Sequence, residues 1–331
     1  MPALPPSRQW PLALACMPGL MLIMFTGLFS THLAPSLLAL GGAFTVGFGA
    51  FKKLTDYPLA PMFVVAAGMG LCAWMGSLIG NYFWLLCVTA ALLAALCALM
   101  SAIDDALWWI TLQWAITLLV AGAFPGPVDA ANYRAGWILI GAITEIATFA
   151  CVSRLLLPHP QNLDHPALKA NLAQLRNSLI TRFRIRRYGF YSASVVVLCL
   201  ILAHGLNLHY GYWAPMTALI VLKAHPQETL QRGGARMLGT LGGCLVAATI
   251  GSFGVSGAAM GIVGLVFAFL AYGVQGGRYS LFTLFITATV VTTAAMGGTP
   301  EWQAAWDRLQ ATCIGGGLAI VVLSVETRLG G

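Results

Sequence analysis

Tyr133 to Leu155 reads YRAGWILIGAITEIATFACVSRL, and Asp307 to Leu329 reads DRLQATCIGGGLAIVVLSVETRL. Laid one under the other without a gap, at a constant offset of 174 residues, they pair Arg134 with Arg308, Gly141 with Gly315 and Arg154 with Arg328. Ile140 meets Ile314, Ile146 meets Ile320 and Leu155 meets Leu329, while Ser153 opposes Thr327. The same offset pairs Leu107-Trp108 with Leu281-Phe282. Each stretch is an apolar run bounded by two arginines, and each is long enough to cross a bilayer of about 30 Å as a helix. The chain reads as a duplicated arrangement whose last element is a membrane span.

Composition supports a membrane reading. Of 331 residues, 59% are hydrophobic and 8% charged, against roughly 25% charged in a soluble domain. Twelve apolar runs appear in two groups of six: 11–31, 34–51, 60–79, 82–101, 106–124 and 135–156, then 190–207, 212–223, 236–253, 257–275, 280–297 and 309–327. The expected fold is therefore an all-α polytopic membrane protein with about 12 transmembrane helices as two parallel six-helix repeats. Earlier in each half the match is looser; Ala34-Pro35 resembles Ala214-Pro215 with a length change between. The expected division is an N-terminal repeat over 1–157, a basic linker over 158–188 and a C-terminal repeat over 189–331. The first run lacks a clear small-residue cleavage site and is followed at once by another, which argues against a cleaved signal peptide.

Lys and Arg set the expected orientation. With the N-terminus in the cytoplasm, 15 of the 17 basic residues fall inside, and Arg134 and Arg308 alone fall outside. Both termini are then cytoplasmic. The net charge of +7 is a topology signal and does not point to nucleic acid. In the linker, Asp164-His165-Pro166 reads as a helix start, and Leu168, Leu172, Leu175, Leu179 and Phe183 follow at helical spacing among Lys169, Arg176, Arg182, Arg184, Arg186 and Arg187. That pattern suits a cytoplasmic helix lying on anionic lipid, or a docking segment for a partner.

The run YWAPMTALIVLKAHPQETLQRGGARMLGTLGG, Tyr212 to Gly243, resembles the start of the C-terminal membrane half in the fusaric acid resistance and aromatic acid exporter family, which is distantly similar to plant aluminium-activated malate transporters. Tyr212-Trp213-Ala214, Arg232, Arg236, Gly239-Thr240 and Gly243 carry the resemblance, with Arg308 followed by Ile314-Gly315 as a second match. Gln310-Ala311-Thr312 keeps a family threonine and lacks the aspartate before it. Many members have a sizeable cytoplasmic domain between the halves; here about 30 residues stand in its place, so this would be a short form. The resemblance implies export of small organic acids across a bacterial inner membrane, with a periplasmic adaptor protein as a candidate partner.

Residue chemistry supplies candidate sites. Arg134 and Arg308 each lie near the periplasmic start of a repeat's last span. A helix N-terminus with a guanidinium suits a carboxylate; the alternative is an arginine snorkelling to the headgroups. Glu145 lies 11 residues further on, about 16 Å along the axis at 1.5 Å per residue, near mid-bilayer. A bare charge is costly there, so Glu145 is either a proton-coupling group or a neutral carboxyl hydrogen-bonded between helices. Its repeat counterpart is Ala319. Arg232 and Arg236 are expected to line a cytoplasmic vestibule or to anchor a helix end, and Trp213 to stack on an aromatic substrate or to belong to an interfacial belt. That belt is expected to include Trp10, Tyr82 to Trp84, Trp108-Trp109, Tyr188 to Tyr191, Trp302 and Trp306. The eight cysteines lie in or beside apolar runs and read as small buried hydrophobes. No metal, cofactor or catalytic spacing is seen. Three functions fit: a proton-coupled exporter of small anionic, aromatic carboxylic compounds; a passive organic-anion channel; and a non-transporting membrane scaffold for an envelope assembly.

Overall fold

The computed structural model describes residues 6–30, 33–156, 183–223, 226–255 and 257–329. Most of the basic linker, including its expected lipid-surface helix, lies outside these described residues. The described chain is helical throughout its regular structure: α1 Pro6–Phe29, α2 Leu33–Gly47 with a 3-10 turn Phe48–Phe51, α3 Ala60–Ile79, α4 Phe83–Ser101, α5 Asp105–Gly122 and α6 Val128–Leu156. There follow α7 Phe183–Gly205, α8 Trp213–Val221, α9 Pro226–Ser252, α10 Gly257–Val274, α11 Tyr279–Met296 and α12 Glu301–Leu329. Among the described residues, ten helices are long and apolar enough to cross a membrane. This is an all-α, multi-pass membrane protein. The nine residues of α8 rise only about 13.5 Å at 1.5 Å per residue, so the run expected over 212–223 does not span a bilayer as helix alone.

Local sequence accounts for several boundaries. Asp104 caps α5, its carboxylate accepting from the Ala106 N–H at 2.7 Å and satisfying one of the unpaired donors of the first turn. Pro127 and Pro300 immediately precede α6 and α12, and each helix carries an acid in its first turn, Asp129 and Glu301, where the helix dipole favours it. Both helices therefore begin well before their apolar portions. Gly298, at φ +93°, takes the left-handed turn between α11 and α12 that a side chain would resist.

The helices form two compact units. The first takes α1, α2, α6 from Arg134, α9 from Gly234, α10, α11 and α12 as far as Gln310. The second takes α3, α4, α5, α7, α8, the start of α9 up to Gly233 and α12 from Ala311. Each unit thus combines helices from both groups of six. In the first, α1 packs on α2 and α10, and α10 on α11; in the second, α7 packs on α8 and α4, and α4 on α5. The pairs correspond when the helices of each group are numbered one to six.

The closest approaches correspond as well. In the first unit a Cβ on Gly141 of α6 would collide with the Ala39 carbonyl of α2. In the second unit a Cβ on Gly315 of α12 would collide with the Ala214 carbonyl of α8. Gly141 and Gly315 are the residues paired by the 174 offset. Absence of a side chain lets the backbones meet, which is how membrane helices gain dispersion contact where no hydrophobic drive separates them from lipid. Gly239 and Gly243 of α9 do the same against the Ser280 and Leu284 carbonyls of α11.

The interior of the second unit gathers Leu86, Leu112, Leu118, Val196, Leu200 and Leu219 with Cys72, Cys87 and Cys97. All eight cysteines are free; six are buried, but Cys151 and Cys313 are exposed, against the expectation that all would be interior. Trp10, Tyr82, Trp84, Trp302 and Trp306 are exposed, as a belt requires. Trp109 is buried, so it does not belong to the belt.

Candidate transport site

Glu145 is fully buried in the first unit, one helical turn beyond the Gly141 contact. Neither carboxyl oxygen has a hydrogen-bond partner among the described residues. The space it occupies is made by two glycines: a Cβ on Gly19 of α1 would overlap Oε2, and one on Gly47 of α2 would lie 3.1 Å from Oε1. The Gly47 position also abuts the Tyr272 hydroxyl of α10, 2.8 Å from its Cζ. That hydroxyl donates to the Phe44 carbonyl at 2.7 Å, and the Cys16 thiol, beside the carboxyl, donates to the Gly47 carbonyl at 3.6 Å. Thr148 donates back to its own helix, to Thr144 O at 2.8 Å. The Tyr272 and Thr148 hydroxyls are thus committed to backbone carbonyls, while the Cys16 thiol also stands within reach of the carboxyl. Phe48 and Phe44 pack around the Tyr272 ring, with centroids 4.5 and 5.4 Å from it.

A buried carboxyl with so few donors around it is an unusual construction. An unsatisfied polar group in a low-dielectric interior costs about 1–3 kcal/mol, and more when ionised. The Cys16 thiol is a donor that stands beside the carboxyl, and a neutral hydrogen-bonded carboxyl and a proton-coupling group share this geometry.

Arg308 is almost fully buried, at 1% exposure, beside Cys244 of α9, whose thiol donates to the Ala305 carbonyl at 3.4 Å. A snorkelling anchor would be exposed, so that alternative does not describe Arg308. Arg134 is half-buried. Neither arginine stands in a first turn: α6 begins at Val128 and α12 at Glu301, so the two lie about 9 and 10.5 Å along their helices at 1.5 Å per residue. The expectation that the unpaired N–H groups of a helix start join the guanidinium is therefore corrected. The polar residues 128–133 and 301–307 are helical because acid-bearing first turns after a proline extend each helix beyond its apolar run.

Arg232 and Arg236 are four residues apart on α9, but Arg232 belongs to the second unit and Arg236 to the first. Arg236 is buried at 3% exposure, and its Nε has no hydrogen-bond partner among the described residues. Trp213 is buried at 4%, and one face of its indole is taken by Tyr210, with ring centroids 4.5 Å apart and 23° between planes.

The sequence reading missed a cluster at one end of the second unit. Lys223 follows α8 in extended backbone, and its neighbours are fixed from two sides: Tyr188 donates to the Leu222 carbonyl at 3.0 Å, and the Lys223 N–H donates to Thr229 Oγ1 at 2.9 Å. The Lys223 ammonium lies 3.2 Å from the centroid of the Trp108 ring, and the Arg232 guanidinium carbon 5.5 Å from it. Lys52 stands 5.9 Å from the Trp109 ring. Burial pulls Lys223 down to about 7, with repulsion from Arg232 and Lys52 adding to it and Asp105 and Glu228 opposing it. Burial lowers Lys52 too, partly offset by Asp105. Lys52-Lys53, Asp104 to Trp109 and Lys223 each end or begin an apolar run on the same expected side; their convergence is a long-range fact that spacing did not carry.

Residues 197–322 match the family described as fusaric acid resistance protein-like. This supports the family resemblance carried by Tyr212 to Gly243, and the family points to a membrane transporter. The chain is also similar to a protein of Neisseria gonorrhoeae described as "Uncharacterized protein ORF2", 26% identical over 162 residues, 49% of this chain and 39% of the relative. The matched stretch spans about two-fifths of that relative's length. No solved structure matches.

Proposed function

We propose that this chain exports small anionic compounds, aromatic carboxylic acids foremost, across a bacterial inner membrane, with Glu145 coupling export to proton entry. The observation that carries the reading is the Glu145 pocket: a fully buried carboxyl to which no hydroxyl, amide or cationic group donates among the described residues, set between two glycines beside Cys16, Thr148 and Tyr272. A group so placed is far more stable neutral than charged, so its protonation is tied to whatever opens the pocket to water. A scaffold gains nothing from this arrangement, and a passive channel has no use for it. Arg134 and Arg308, both in the first unit, are the groups suited to a carboxylate. Both termini lie in the cytoplasm in this reading, and a periplasmic adaptor would receive the exported acid.

The test is efflux of radiolabelled benzoate from proteoliposomes containing the full chain. Efflux should accelerate when the outside is made acidic relative to the lumen. Equal efflux with and without the gradient would favour the passive anion channel, and no efflux above empty liposomes would favour the scaffold.

A further inference from the structure

In the second unit α4 and α7 pack antiparallel. Phe83 at the start of α4 stacks on His204 near the end of α7, with ring centroids 4.5 Å apart, and the Ser192 hydroxyl of α7 donates to the Ala94 carbonyl of α4 at 3.2 Å. On their exposed side the two helices leave a groove of about 470 Å³, bounded by one stripe of α4 from Val88 to Leu99 and by Gly189, Phe190 and Ala193 of α7. Every side chain lining it is apolar. Leu92 and Phe190 stand exposed at its edges, while Ala95, Gly189 and Ala193 leave its middle open. A Cβ on Gly189 would lie 3.9 Å from the Ala95 carbonyl oxygen, an ordinary contact, with nothing nearer. Gly189 is therefore unlike Gly141 and Gly315: the backbones do not need it in order to meet, and its missing side chain serves to keep the groove open.

The dimensions select the occupant. Val88 to Leu99 covers about 16.5 Å at 1.5 Å per residue, close to one leaflet's share of a hydrocarbon core about 30 Å thick. Spread over that length, 470 Å³ is a channel about 28 Å² in section, whereas a helix about 10 Å across with its side chains needs on the order of 80 Å². A helix from a second copy does not fit, and a single hydrocarbon chain does. Charge marks one end. Leu99 lies two residues before α4 stops at Ser101, opposite the start of α7, where Arg182 to Phe190 reads RFRIRRYGF and carries four arginines. No Asp or Glu occurs from 165 to 227. Arg186 precedes Gly189 by three residues and Phe190 by four, so helical register puts it on the stripe of α7 that lines the groove. Arg187 is beside it; its guanidinium donates to the Tyr191 hydroxyl at 3.2 Å, a contact with a neutral group that leaves its charge in place.

We propose that this groove binds one anionic phospholipid, with an acyl chain lying along α4 and the phosphate at the arginine-bearing start of α7. Without a chain in it, the small residues of the groove forfeit dispersion contact. Each basic residue near the headgroups favours an anionic lipid by about fivefold, so Arg186 and Arg187 together favour it by about thirtyfold. The site stands apart from the Glu145 pathway and does not depend on the exporter reading.

The experiment is native mass spectrometry of the full chain, delipidated in a neutral detergent and titrated with dioleoyl phosphatidylglycerol or dioleoyl phosphatidylcholine. One phosphatidylglycerol should bind ahead of all others, with about thirtyfold preference over phosphatidylcholine. Gly189→Leu fills the groove and should weaken that first binding step by about tenfold or more for both lipids. Ala193→Leu fills the groove from the next turn of α7 and should do the same; it decides the matter where Gly189→Leu does not fold. Arg186→Gln combined with Arg187→Gln should leave the first step in place and bring the two lipids to about equal affinity. First-step binding that is unchanged in the groove-filling variants, or a lipid preference that survives loss of both arginines, would overturn the site. So would a wild-type dimer that Gly189→Leu or Ala193→Leu dissociates, since the groove would then belong to a second copy.

Discussion

Gly315→Ala probes the contact that the duplicated stretch builds. A Cβ there would lie 3.0 Å from the Ala214 carbonyl carbon and 3.0 Å from the Thr217 Cβ, and nearer still to the Ala214 oxygen. At Gly316 and Gly317 an added Cβ meets nothing within 4 Å among the described residues. Ordinary van der Waals contact begins near 3.4 Å, so α12 has to withdraw from α8 by at least several tenths of an ångström. The obstacle is backbone, which cannot turn aside as a side-chain tip would. Overpacking of this kind costs about 1–3 kcal/mol. Alanine in place of helical glycine contributes roughly 0.5–1 kcal/mol in the opposite direction, equally at all three positions. Gly315→Ala should therefore be less stable than Gly316→Ala or Gly317→Ala by about 1–3 kcal/mol. Reversible unfolding of the full chain in mixed micelles measures this, and Gly141→Ala, the counterpart against Ala39, should behave like Gly315→Ala. Equal stability of the three variants in the glycine run would refute the backbone contact.

Arg134→Ala and Arg308→Ala should each weaken binding of an anionic substrate by about tenfold to a hundredfold, the worth of a charge-assisted contact of roughly 1.5–3 kcal/mol. Because Arg308 is buried, Arg308→Lys serves as the milder variant; it should fold and rescue affinity only in part, and unaltered affinity in both Arg134→Ala and Arg308→Lys would reduce the pair to structural groups. For topology, a reporter fused after Arg187 should signal cytoplasm and one placed within 126–132 should signal periplasm; the reverse at either point would break the proposed orientation.

The helices were legible because each apolar run is long and the polar breaks between them are short. The recurrence of Arg134, Gly141 and Arg154 at one offset in Arg308, Gly315 and Arg328 was visible in the sequence itself. What escaped has a common physical cause: it depends on which helices meet. Apolar periodicity marks a span but does not choose its neighbours, so the mixing of helices from both groups into each compact unit left no local trace. The starts of α6 and α12 were misplaced because hydropathy ends where the apolar run ends, whereas the hydrogen-bonded helix continues through Asp129 and Glu301. Glu145 stood out as a charge in an apolar run, but Gly19, Gly47 and Tyr272, which shape its pocket, come from distant helices. Lys52, Lys223 and Trp108 each resembled an ordinary interfacial anchor, and only their convergence distinguishes them.

Proton coupling through Glu145 is tested most directly by comparing the wild-type chain with Glu145→Gln in proteoliposomes loaded with labelled benzoate. Glutamine keeps the size of the protonated acid and cannot release a proton. The account predicts that wild-type efflux rises with an inward proton gradient, whereas the variant, confirmed folded and still able to exchange benzoate across the membrane at equal pH, shows the same efflux with and without the gradient. Gradient-driven efflux that persists at the wild-type level in Glu145→Gln would contradict it.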